Sequence, residues 1–188
     1  MRVRGSISES SVSTLPPLRR DQLDPDPALR ATDPALITHR VTYSDRLKVF
    51  LGAGETVDSF LRPLRRLDGY HRYSVNMTRL AAAMRPADIS PVISSAPGRN
   101  YLQCTGSAGA LAIELRSTVD AAPRQFAVGL PGDRIGAPSI DVPVPAGVPA
   151  PLIYPDELFT AEQAAEIFTA YFETGDVPPY LQLRETTA

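Results

Sequence analysis

The sequence predicts an α+β fold: one antiparallel β-meander sheet packed on one face by helices, with an amphipathic helix near the C-terminus. Three observations carry this reading. Residues 110–116 (ALAIELR) and 124–130 (RQFAVGL) alternate apolar and polar side chains with a period of two, the mark of half-buried strands. The stretch 159–175, FTAEQAAEIFTAYFETG, changes to a helical period. The connections between these segments are short and rich in Gly, Pro and Asp, as in hairpin-linked strands.

Taken in chain order, residues 1–36 hold Pro16, Pro17, Pro25, Pro27 and Pro34 and no aromatic side chain. Such a segment buries too little surface to offset its ordering entropy, so a disordered or weakly ordered tail is expected, with one α+β domain over residues 37–186. RLKVFL at 46–51 reads as a strand. Thr56 is placed to cap a helix over 57–67, with Val57, Phe60, Leu61 and Leu64 on one face and Pro63 shortening or kinking it. Asp68-Gly69 signals a turn. YHRYSV at 70–75 reads as a strand, and Asn76 as the cap of a short helix with Leu80, Ala81 and Met84 inward, ending before Pro86. Residues 91–95 and 101–105 read as short strands around Gly98, and Gly106-Ser107-Ala108-Gly109 as a hairpin turn. Residues 139–144, with Ile140, Val142 and Val144 alternating and Pro143 among them, read as an edge strand. In the helix that follows, Thr160 and Gln163 form a capping box. Ala164, Ile167, Phe168, Tyr171 and Phe172 make one apolar stripe, and Gly175 followed by Pro178 and Pro179 ends it. YLQLR at 180–184 reads as a last strand.

The 188 residues suit one domain with room for a tail. Proline is abundant, with 19 residues, and the only lysine is Lys48 against 18 arginines. That ratio reflects codon usage in a GC-rich genome more readily than a structural need. One cysteine, Cys104, excludes an internal disulfide and fits a reducing cytoplasm. No run approaches the length of a membrane span, and the N-terminus has charge but no apolar core of a secretory signal. A net charge of −2 predicts neither nucleic-acid nor membrane binding. The charge is uneven: residues 1–140 carry +5, whereas residues 141–188 carry −7, with Arg184 alone against eight carboxylates. Such asymmetry marks a candidate partner surface.

Catalytic signatures are sparse. His39 and His71 are the only histidines and lie far from each other and from Cys104, a spacing that argues against a metal site. Cys104, in a core strand, reads as a buried inert thiol. There is no phosphate-binding loop or dinucleotide fingerprint. The segment 62–73, with Arg62, Arg65, Arg66, Tyr70, His71, Arg72 and Tyr73, is basic with interleaved aromatics and is a candidate pocket wall or anion contact.

YLQCTGSAGALAIELR, RQFAVG and ELFTAEQAAEIFTAYFETGDVPPYLQLR, over residues 101–184, resemble segments of actinobacterial immunity proteins of polymorphic-toxin systems. The resemblance implies a small cytoplasmic α+β protein, not an enzyme and without cofactor or metal, that binds and occludes a cognate protein toxin. On this chain the acidic contacts would be Asp156, Glu157, Glu162, Glu166, Glu173 and Asp176, with Tyr154 and Tyr180 as anchors. No oligomeric state follows from the sequence. Two other readings stay open: a small-molecule-binding or accessory domain using the 62–73 segment, and an enzyme relying on carboxylates, arginines or tyrosines.

Overall fold

The structure is a computed structural model that describes residues 36–52, 54–95, 98–119 and 122–186. The expected N-terminal tail, apart from Leu36, lies outside the described residues. The fold is α+β, with an open antiparallel sheet of eight strands. They are β1 (Ile37–Tyr43), β2 (Leu47–Gly52), β3 (Ser74–Met84), β4 (Tyr101–Ser107), β5 (Ala110–Val119), β6 (Ala122–Gly129), β7 (Leu158–Phe159) and β8 (Gln182–Thr186). The order across the sheet is β2-β1-β3-β4-β5-β6-β8, with β7 pairing to the start of β5. Helices α1 (Val57–Leu64) and α3 (Ala161–Thr174) pack against each other, and α3 lies on the sheet; α2 (Pro91–Ser95) is a single turn.

The period-two pattern decides which face carries the core. Val75 and Met77 on β3, Leu102 and Cys104 on β4, and Leu111, Ile113 and Leu115 on β5 meet Phe60 and Leu64 of α1 and Ile167, Phe168 and Tyr171 of α3. Alternate residues on the other face form polar rows; one runs Asn76, Gln103, Glu114, Ala127, Arg184 from strand to strand. This outer face is partly covered by the proline-rich segment 131–153, whose Val142 and Ile153 pack on Ala112.

The C-terminal helix is as its residues require. Gln163 N–H donates to Thr160 Oγ1 at 3.4 Å and Thr160 N–H to Gln163 Oε1 at 2.9 Å, a reciprocal box that satisfies two free donors of the first turn. Gly175 ends the helix at φ 80°, in the left-handed region, with its N–H on Tyr171 O at 2.7 Å.

Four segments differ from expectation. Residues 76–84 are strand rather than helix, because β3 is central and its backbone is paired by β1 on one side and β4 on the other. Strand β3 starts at Ser74, and 68–72 is a loop held by Asp68, whose Oδ1 accepts the N–H groups of Tyr70, His71 and Arg72 at 2.8, 2.8 and 3.0 Å. Residues 91–95 are helical: Pro91 suits a first helical position and Ser90 Oγ accepts Ile93 N–H at 3.3 Å. Residues 139–144 form no sheet strand; Pro143 and Pro145 withhold donors, and one bridge, Ile140 to Ile153, is what forms. The other boundaries shift less. The strand expected at 180–184 lies at 182–186, and α1 stops at Leu64, one residue beyond Pro63. Strand β1 was not anticipated beyond the domain starting at Ile37.

Candidate functional site

The eight expected contact residues separate into two groups. Tyr154, Asp156 and Glu157 belong to an internal node. Glu157 ends a 3₁₀ turn (Pro155–Glu157) and is 0% exposed. Arg184 of β8 grips it in a fork, Nε to Oε1 at 2.8 Å and Nη2 to Oε2 at 2.7 Å. Arg134 Nη2 lies 3.5 Å from Oε1, and Tyr154 N–H donates to Oε2 at 3.0 Å. Asp156 pairs with Arg134 Nε at 2.9 Å. Both guanidiniums approach the Tyr154 ring, Arg134 at 5.8 Å and Arg184 at 5.2 Å from its centroid, and the Tyr154 hydroxyl donates to Gly136 O at 2.8 Å. Donating to the Glu157 carboxylate holds the Arg184 guanidinium even more firmly charged than usual. Glu157 therefore offers no outer surface, whereas Asp156 and Tyr154 are half-buried, with the Asp156 carboxylate paired to Arg134 and the Tyr154 hydroxyl bonded to Gly136 O. This corrects the sequence reading for Glu157, which is enclosed; a count along the chain cannot show which arginines the fold brings to these three residues.

The second group stays outside. Glu162, Glu166 and Glu173 are exposed and recur at helical spacing on the outer side of α3. Glu162 accepts from Arg65 Nε at 2.9 Å, which holds its carboxyl below the usual range, but both side chains are more than half exposed, so the pair adds little to stability. Neither Glu166 nor Glu173 is in an ion pair with a described residue. Asp176, just past the helix, accepts Val177 N–H at 2.7 Å and is half-buried, while Tyr180 is 55% exposed. The acidic surface is thus a stripe on α3 with Tyr180 beyond its end, narrower than the charge count implied.

No family model, curated protein or solved structure matches the chain. The site must be read from its own chemistry.

Cys104 is fully buried and its thiol is pushed up to about 12, so no nucleophilic thiolate forms at neutral pH. His71 is exposed in the loop after α1. Among the described residues no three His, Cys, Asp or Glu side chains gather as a metal cluster, and no helix is long and apolar enough to cross a membrane.

His39 is 3% exposed on β1, with its ring centroid 4.7 Å from that of Phe172 and Nδ1 2.9 Å from Thr38 Oγ1. Among the described residues its Nε2 has no hydrogen-bond partner. Burial and the nearby Arg79 charge push its pKa down to about 3. The unfolded chain therefore binds a proton that the folded chain refuses between its ordinary value near 6.5 and about 3. Stability is full above that window and falls as pH falls through it, by about 2 kcal/mol from pH 7 to pH 5. Urea unfolding at the two pH values checks this. His39→Leu is expected to flatten the slope; an unchanged slope would assign it elsewhere.

Two grooves were less legible. On the outer face, a cleft of about 600 Å³ runs under Val148–Leu152, floored by Gln103, Thr105, Glu114 and Gln125. Burial raises the Glu114 carboxyl, although Gln125 Nε2 donates to it at 2.8 Å. The polar alternate positions of β4 and β5 were the available signal for this cleft. A second groove, of about 710 Å³, lies between the β1–β2 turn, α1 and the 68–72 loop and is lined by Arg46, Arg62, Arg66, His71 and Arg72. The 62–73 segment announced most of it. Arg46 went unnoticed because its place depends on the turn.

Proposed function

We propose that this chain is a toxin-neutralising immunity protein of the cytoplasm, acting by binding and occluding a cognate protein toxin through the α3 face. The observation that carries the reading is the pair of uncompensated carboxylates, Glu166 and Glu173, on the outer side of a helix fixed to the sheet by its apolar stripe. A helix already ordered before encounter spends little conformational entropy on docking. Its charge speeds encounter with a basic surface and selects the partner, and Tyr180 is available as an anchor. The sequence resemblance over 101–184 supports the same reading, since it runs from β4 through α3 into the start of β8.

The test is calorimetric titration with the toxin encoded beside this chain. Micromolar or tighter binding is expected, weakened about tenfold or more by Glu166→Lys/Glu173→Lys, which touches no core residue. Absence of a complex at micromolar concentrations would reject the reading; full affinity in the double variant would move the interface off α3. A second reading, a small-molecule-binding module, draws on the outer-face cleft, whose amides, hydroxyls and Glu114 offer both donors and acceptors.

A further inference from the structure

We propose that the groove between the β1–β2 turn and α1 is a binding site for a compact polyphosphate, of the kind carried by a nucleoside di- or triphosphate. Arg46, Arg62, Arg66 and Arg72 line one volume of about 710 Å³, and His71 lines it with them. That volume is within the range of about 300–1,000 Å³ of small-molecule sites. Among the described residues no aspartate or glutamate lines it. Among the described residues none of the four arginines is in an ion pair, whereas Arg65, Arg124, Arg134 and Arg184 all have carboxylate partners. Four like charges gathered with no carboxylate in ion-pair contact among the described residues repel one another, and a bound anion relieves that repulsion.

The supports of these arginines are ordered in advance. Arg46 follows Ser44 and Asp45, at φ 46° and 57°, the two non-glycine residues in the left-handed region among those described. Such strain persists only where the surroundings hold it. Here Ser44 Oγ accepts Tyr73 N–H at 2.9 Å and Asp45 accepts the Tyr73 hydroxyl at 3.0 Å. The Asp68 carboxylate is occupied with the backbone of the loop that presents His71 and Arg72. Both neighbouring acids therefore brace the segments that carry Arg46, His71 and Arg72.

Charge density selects the ligand class. An acidic peptide supplies one charge per residue along a chain rising about 3.3 Å per residue, and successive side chains point to opposite sides. Linked phosphoryl groups place three or four charges within one compact body and present oxygens that match the guanidinium fork. A long nucleic-acid backbone would also run toward the carboxylates of α3, joined to this side of the molecule by the Arg65–Glu162 contact.

The full chain should be titrated calorimetrically with ATP and with inorganic tripolyphosphate at ~50 mM salt, where screening is moderate. Saturable one-to-one binding of both is expected. Arg62→Gln/Arg66→Gln, altering two exposed side chains, should weaken it about tenfold or more without lowering the thermal midpoint of the unliganded protein. Tripolyphosphate binding as tightly as ATP supports the phosphate chain as the recognised group. The proposal is overturned if neither ligand saturates by ~1 mM, if the double variant binds with undiminished affinity, or if a single-stranded oligonucleotide or an acidic peptide competes more tightly than ATP.

Discussion

Glu157→Ala is expected to destabilise the domain by about 3–5 kcal/mol, because it strands the partly buried Arg184 guanidinium and leaves Arg134 with Asp156 as its one carboxylate partner among the described residues. Folded domains are stable by only about 5–15 kcal/mol, so this is a large fraction. Removing a buried partner is costly chiefly because the remaining charge keeps its desolvation penalty and loses its compensation. Arg184→Met should have a comparable effect from the other side, leaving Glu157, fully enclosed, without its bidentate donor. The double variant should lose less than the sum of the singles, since each substitution removes the group the other strands. Urea unfolding of the four proteins measures this cycle. Single-variant losses below about 1 kcal/mol, the range of exposed pairs, would mean that water reaches the node and the energetic account is wrong.

Phe168→Ala is the second large effect, about 3–5 kcal/mol. The ring is 0% exposed and lies where the α3 stripe meets the sheet, in the same cluster as Leu102, Ile113 and Leu64. Truncation removes apolar contact from both layers and opens a cavity that the helix cannot collapse into while β7 and β8 hold the chain on either side. Phe168→Leu keeps most of the volume and should cost less than about 1.5 kcal/mol. The contrast between the two in denaturant midpoint, at unchanged slope, separates cavity formation from a change in compactness. If alanine were no worse than leucine, the packing of α3 on the sheet would not be what secures the helix.

Elements that bury one face with an unbroken period were readable in the sequence. β5, β6 and α3 fall there, and Thr160, Gln163 and Gly175 mark the helix ends directly. β3 was misread because Leu80, Ala81 and Met84 fit helical spacing and alanine favours helix; pairing on both sides of the strand outweighs that preference. β1 was hidden by His39, a polar residue at a core-facing position. Residues 139–144 alternate correctly for a strand, yet the prolines turn the alternation into a cover over Ala112. At the candidate site, residue type and exposure were foreseeable for Glu166 and Glu173. The −7 of residues 141–188 did not become one acidic face, because Arg65, Arg124 and Arg134 cross from elsewhere in the chain to Glu162, Glu185 and Asp156. Charge summed along a chain carries no information about such crossings.

The Glu157–Arg184 fork joins residues 27 apart, and the whole of α3 lies within the span it closes. In polymer terms the fork is a reversible cross-link around the helix: once it forms, the closure entropy of that loop has already been spent. α3 and β8 therefore open as one cooperative unit or stay closed together. Fraying confined to the helix cannot release its outer side, and amides in α3 and β8 should share one opening free energy despite belonging to different kinds of secondary structure.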